Sequence, residues 1–229
     1  TPRGRWCCNQ SRGPHTLTNS MDSQRILLAS GNGEKQNIFR SVLNGLSLEP
    51  VTPKEVGVAA SSQEDANTHE AIAIEKAVEW SKAGSMLAIA SDGGLVIPAL
   101  GHAWDSRHTR RFAGPDVDDA QRADHLLKLM APYTGVDRTA SWVEALAIAY
   151  KGRLLVSWEI LGATGEIASV RRPGPTSEFW AFTVWTFPIL RKNYNELTPQ
   201  QLLSLNDHWT RLGQLARRFF RSIYVSPWD

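Results

Sequence analysis

An α/β fold is predicted here: a mixed sheet with parallel βα units, a long antiparallel hairpin extension, and helices on both faces. Three features of the sequence predict it. The apolar run from Arg25 to Ala29 breaks at Ser30-Gly31-Asn32-Gly33-Glu34-Lys35 and continues with apolar residues at helical spacing, which reads as strand, tight turn, helix. A second compact apolar run, residues 86–90, leads into Ser91-Asp92-Gly93-Gly94. Two long apolar runs, 142–150 and 154–161, flank Lys151-Gly152, the glycine-containing turn of a hairpin.

The elements follow in order. The first helix is expected over about 33–46, followed by a short extended piece at 48–53 that Pro50 and Pro53 keep from becoming helical. Residues 61–65 offer capping side chains ahead of a second helix over 68–83, where Ile72, Ala73, Val78 and Trp80 share helical spacing. The run at 86–90 is then a buried strand ending in a turn, with a second extended segment at 95–100, so that Asp92 sits at the strand end. An acid-rich start and Ala123, Leu126, Leu127, Leu129 and Met130 predict a third helix over 116–131. Leu202, Leu205, Trp209, Leu212, Leu215 and Phe219 recur at three- and four-residue steps, which predicts one long amphipathic helix over 198–224.

The 229 residues, 42% of them apolar, suffice for one sizeable core, and we expect a single domain over 24–224, a poorly ordered extension at 1–23 and a tail at 225–229. A net charge of +2 with dispersed basic residues gives no concentrated basic face, so no nucleic-acid partner is expected. Two adjacent cysteines, Cys7 and Cys8, build neither a disulfide framework nor a metal finger, which favours a cytoplasmic setting. With no apolar segment of the ~20 residues that span a bilayer, no membrane association is expected.

Strand–turn–helix junctions hold phosphate because the first N–H groups of a helix lack internal partners and sit at the positive end of its dipole. Lys35 adds a full charge there, and ligands in such folds bind beyond the carboxyl ends of strands, where Asp92 also lies. A lysine facing a carboxylate is the minimum for metal-assisted attack on a phosphoanhydride, in which the acid holds a divalent ion or deprotonates water. The same residues also fit an ordinary α/β junction and a plain Asp-Gly-Gly turn. The crowding of Phe179, Trp180, Phe182, Trp185 and Phe187 fits both a stacking platform for a base and the core side of a strand.

From about residue 25 to 220 the chain resembles the inosine/xanthosine triphosphate pyrophosphatases. Leu27-Leu-Ala-Ser-Gly-Asn-Gly-Glu-Lys35 resembles their opening strand and Ser/Thr-Gly-Asn-x-x-Lys loop, and Glu70-Ala-Ile-Ala-Ile-Glu-Lys-Ala77 their second helix. Ile89-Ala-Ser-Asp-Gly-Gly-Leu-Val96 is similar to their Asp-Ser-Gly-Leu corner, Arg111-Phe112 to their Ala-Arg-Tyr segment, and Gly165-Glu-Ile167 to the turn before their nucleotide loop. The resemblance implies hydrolysis of a noncanonical purine triphosphate such as ITP or XTP to monophosphate and pyrophosphate, by a homodimer that depends on Mg²⁺, with Mn²⁺ as a substitute. It implies that Asp92 is the catalytic residue and a metal ligand, with Glu70 beside it, and that Ser30, Gly31, Asn32, Lys35, Gly93, Gly94, Arg111, Phe179 and His208 bind the nucleotide.

The departures shape the expectation. Ala71 stands where the family has a metal-binding Glu, and Glu70, one helical step away, is rotated by about 100°. Gly93 replaces a serine, Glu178-Phe-Trp-Ala-Phe-Thr183 replaces Gly-Phe-Gly-Tyr-Asp-Pro, and Asp207-His208-Trp209 replaces Ser-His-Arg. Two alternatives stand beside the hydrolase: a nucleotide-binding pseudoenzyme, and a septum-inhibitor-like nucleotide pyrophosphatase, whose Asp-Thr-Val-Val strand end differs from Asp92-Gly-Gly-Leu95.

Overall fold

The computed structural model describes residues 24–60, 66–114, 116–172 and 179–224. The capping segment at 61–65, Glu178, the N-terminal extension and the tail expected from the sequence lie outside the described residues. A seven-stranded sheet in the order β2-β1-β3-β4-β5-β6-β7 organises the chain. β1 (Gln24–Leu28) pairs in parallel with β2 (Leu48–Val51) and with β3 (Leu87–Val96). From β3 onward every pairing is antiparallel, through β4 (Thr139–Tyr150), β5 (Arg153–Ile167), β6 (Trp185–Phe187) and β7 (Lys192–Asn193). The predicted mixed sheet with a long hairpin is therefore present, and Lys151 and Gly152 both take positive φ, as a two-residue hairpin turn requires.

Helices cover both faces. On one, α1 (Gly33–Leu43) and α6 (His208–Tyr224) pack Phe39, Val42, Leu212, Ala216 and Phe220 against Ile26, Leu28, Ile89, Leu146 and Ile148. On the other, α3 (His69–Gly84) lays Ala73 and Ala77 on Ala88, Ala90, Ala145, Ala147 and Ala149. Small side chains there let the helix lie close to the strands. At the far end, α4 (Asp119–Leu129) closes a third cluster around Trp104, Trp142, Trp180, Phe182 and Trp185. Those last aromatics pack in the core, and each fully buried large apolar side chain contributes about 1.5–3 kcal/mol.

Four expectations differ from the structure. α1 stops at Leu43, because Asn44 leaves helical geometry and Gly45 turns to φ 79°. The proline-rich stretch after β2 also closes a one-turn helix, α2 (Pro53–Val56), through a capping box between Thr52 and Glu55. The predicted C-terminal helix is two helices, α5 (Pro199–Leu205) and α6, separated where Asn206 adopts φ 47° and Asp207 accepts from the Thr210 N–H. Asp92-Gly93-Gly94 is no turn: β3 runs straight through it, with Asp92 opposite Ala145, Gly93 opposite Glu144 and Gly94 opposite Val143. Asp92 therefore sits inside β3, beyond the part that β1 covers, and not at its end.

The two glycines are there for close approach. A Cβ on Gly93 would lie 2.1 Å from Glu144 Oε2, and one on Gly94 would lie 1.9 Å from the Ser106 carbonyl oxygen. Neither position accepts a side chain without moving its neighbour.

Candidate active site

β1 pairs with β3 only as far as Ile89, which leaves the later edge of β3 open. The β1–α1 turn folds over that edge. Asn32 caps α1 by accepting from the Lys35 N–H at 2.7 Å, and Ser30 Oγ accepts from the Asn32 N–H at 3.1 Å. Gln36 donates to the Ser30 carbonyl at 2.7 Å. The Ser30 and Asn32 side chains thus shape the turn that presents Lys35. Gly31 stands in open space, where no contact within 4 Å demands a glycine.

Lys35 Nζ donates to the Ser91 carbonyl at 3.3 Å on the open edge, and lies 3.4 Å from Glu144 Oε1. Glu144 is fully buried, and its other oxygen accepts from the Trp142 indole N–H at 2.7 Å. Lys35 Nζ also stands 6.0 Å from the Phe179 ring centroid, at the outer range of a cation–π contact. The lysine is 14% exposed at its side chain, so solvent reaches it.

Asp92 is held from the α3 side. Its Oδ2 accepts from His69 Nδ1 at 2.6 Å and its Oδ1 from Lys76 Nζ at 3.0 Å. Burial pushes the Asp92 carboxyl up. The His69 hydrogen bond and the Lys35 and Lys76 charges outweigh burial and hold it below the ordinary carboxylate range. Lys35 and Asp92 therefore sense each other across β3, and the 15% exposed carboxylate stays open to solvent. On its outer side, His69 Nε2 is bonded to Ser106 Oγ at 2.9 Å.

The metal ligand pair expected from the resemblance is not assembled. Glu70 turns away from Asp92: its Oε1 accepts from Ser157 Oγ at 2.8 Å, and its backbone N–H donates to Glu159. Both Asp92 oxygens already face nitrogen partners, and among the described residues no group of three His, Cys, Asp or Glu side chains is placed to hold a metal ion. The donor set does not fit a resident divalent ion.

Other expected residues fall as follows. His208 is fully buried in the first turn of α6, stacked against Trp142 and Tyr194 at 6.3 and 5.6 Å between centroids. Burial drives its pKa down, against the pull of Glu144 and Asp207. Solvent does not reach it, which corrects the expectation of a nucleotide-facing donor. Phe179 stacks on Phe182 at 5.0 Å and meets Trp142 edge-on, so it joins the aromatic cluster while keeping one contact with Lys35. Arg111 lies on the surface turn between His108 and Gly114. Gly93 and Gly94 make room for Glu144 and Ser106.

Sequence reasoning missed His69, Lys76, Ser106 and Glu144. The first two carried a readable signal, because seven residues are close to two helical turns and put both side chains on one face of α3. Glu144 also did, as a lone carboxylate inside a buried strand. Ser106 gave none.

A mixed-sheet α/β protein with a lysine-bearing turn folded over the open edge of its third strand is the class that fold and site define. The Ham1 family matches the chain over residues 26–184, and the chain belongs to that family. A dITP/XTP pyrophosphatase of Pectobacterium atrosepticum is 34% identical over 119 residues, 52% of this chain and 59% of that protein. One from Coxiella burnetii is 28% identical over 197 residues, 83% of this chain and 94% of that protein. The chain spans 57–62% of the length of four such relatives. Among solved structures, a HAM1 protein from Coxiella burnetii superposes with a TM-score of 0.71 at 26% identity, covering 85% of this chain and 99% of its own. The Staphylococcus aureus Ham1 protein shares the fold, with a TM-score of 0.68 at 22% identity, over 85% of this chain and 98% of its own.

Proposed function

We propose that this protein hydrolyses nucleoside triphosphates to monophosphate and pyrophosphate, with noncanonical purine triphosphates as the substrate class. The observation that carries the reading is Lys35 on the open edge of β3, beside the α1 turn, with the ionised Asp92 and its Lys76 partner on the α3 side near enough for the Lys35 charge to lower the carboxyl's pKa. Two ammonium groups there offset charge on the phosphate oxygens, and Asp92 orients the attacking water and takes its proton. The family match and the activity for which the dITP/XTP pyrophosphatase relatives are named support the same reading. Magnesium, or manganese in its place, enters as the counter-ion of the triphosphate and supplies further neutralisation of phosphate charge. A cytoplasmic homodimer belongs to the same proposal, and sedimentation of the purified chain tests the dimer. No helix of the described residues is long and apolar enough to cross a membrane.

Incubation with ITP, XTP, dUTP and the common triphosphates, in Mg²⁺ and in Mn²⁺, tests the activity. Pyrophosphate and monophosphate in equal amounts are expected from at least one purine triphosphate. Orthophosphate alone, or no release from any of them, would defeat the proposal.

One observation favours the pseudoenzyme as a second reading. Lys35 is paired with Glu144, and Asp92 with Lys76 and His69, so each charged group already has an internal partner. Titration calorimetry separates the two, because the pseudoenzyme binds nucleotide with the same affinity after Asp92→Asn and releases no product.

A further inference from the structure

Beyond Asp92, the α3 face carries two groups that triphosphate hydrolysis does not use, His69 and Ser106, and the three form a chain. Asp92 Oδ2 lies 2.6 Å from His69 Nδ1, and His69 Nε2 lies 2.9 Å from Ser106 Oγ. An ionised carboxylate only accepts, so Nδ1 carries the hydrogen; in the neutral ring Nε2 then accepts, and the Ser106 hydroxyl donates to it. This is the order of contacts by which a serine nucleophile is activated: hydroxyl to imidazole, imidazole to buried carboxylate.

Each member is fixed by its own structural support. His69 is 5% exposed in the first turn of α3. Lys76, two turns along, holds the other Asp92 oxygen. Ser106 opens a single 3-10 turn that the absent side chain of Gly94 allows against β3, and Thr109 Oγ1 ties its carbonyl at 2.6 Å. Arg107 donates to the Ala66 carbonyl, which fastens the same turn to the segment entering α3.

Ser106 and His69 line a cavity of about 380 Å³. Val96, Val143 and Leu161 give it an apolar part, and Asn67, Thr68, Arg107 and Glu159 complete the lining, with Arg107 held by Asp105 and the Ala66 carbonyl. The apolar part suits a small uncharged acyl group.

We infer that Ser106, His69 and Asp92 form a nucleophilic triad that cleaves small carboxylic esters with a short aliphatic acyl chain. Ser106 Oγ bonds to the carbonyl carbon while His69 Nε2 takes the hydroxyl proton. The ester C–O bond breaks, His69 passes that proton to the departing alkoxide, and an alcohol leaves. Water then attacks the Ser106 acyl ester by the same proton path, releasing the carboxylic acid and restoring the hydroxyl. Asp92 acts through His69 as a positioning residue. The inference does not rest on triphosphate hydrolysis, and no nucleotide enters its test.

The full chain is treated with an alkyl fluorophosphonate, whose phosphorus bonds to an activated serine oxygen as fluoride leaves, and the adduct is located by peptide mass spectrometry. A single adduct on Ser106 is expected, together with turnover of p-nitrophenyl acetate and butyrate. Ser106→Ala is expected to abolish the adduct, and Ser106→Ala and His69→Gln to lower ester turnover at least 100-fold at unchanged secondary structure. An unlabelled wild-type chain, an adduct on another residue, or equal labelling of Ser106→Ala overturns the triad. Because the mapping is done on the wild-type chain, a variant that fails to fold does not blunt the test.

Discussion

Replacing Glu144 with glutamine removes one charge from the floor of the Lys35 site and keeps nearly all of the shape. The Trp142 indole still has an amide oxygen to donate to, so the loss falls on the Lys35 ammonium 3.4 Å away. Two unit charges at that separation attract by about 5 kcal/mol at an effective dielectric of roughly 20. Most of this is offset, because Glu144→Gln no longer desolvates a carboxylate, and Lys35 keeps the Ser91 carbonyl and partial exposure to water. A net destabilisation of about 2 kcal/mol remains, or a fall in Tm of roughly 4–8 °C for a chain of this size. The same change frees the ammonium for an anionic ligand. Calorimetric titration with inorganic tripolyphosphate should therefore show about tenfold tighter binding, equivalent to ~1.4 kcal/mol. A folded variant whose affinity is unchanged or weaker would refute the idea that Glu144 holds Lys35 in check.

Two further outcomes follow from the same geometry. Gly94→Ala puts a methyl group 1.9 Å from the Ser106 carbonyl, a backbone atom that no rotamer change removes, and should cost about 1–3 kcal/mol in urea unfolding. The carboxyl of Asp92 is held below its ordinary value, so its ionised form binds the folded state and stabilises it. That contribution is complete above the unfolded pKa of about 3.9 and is lost as pH falls through the lower folded value. The gap in Tm between the wild type and Asp92→Asn should hold constant from pH 7 to 5 and narrow below about pH 3.9. A gap that widens on acidification would reverse the assigned direction.

The parts legible in the sequence were those fixed by neighbours in the chain. Asn32 caps α1 three residues before Lys35, and Lys151-Gly152 closes the hairpin with two successive residues at positive φ. Asp92-Gly93-Gly94 misled because turn propensity is local, while β4, some fifty residues later, supplies the pairing that keeps this stretch extended. The apolar period of the C-terminal helix continued across Asn206, so it hid a break made by one residue at positive φ. Within the site, the spacing of His69 and Lys76 was visible on one helix face. The meeting of Asp92 with His69 and Ser106 was not, because it depends on three elements docking and on a glycine that lets one of them come close. Glu70 looked like a ligand from its place in a motif, yet the helix phase sends it to Ser157 on the neighbouring hairpin.

Asp92 is the group through which the proposed chemistry passes, and Asp92→Asn changes its charge with almost no change in volume. Pyrophosphate release from the preferred purine triphosphate, followed at saturating substrate for both forms, is the most direct measurement. Turnover should fall about 10²–10⁴-fold with folding intact. Equal rates for the two forms would contradict it.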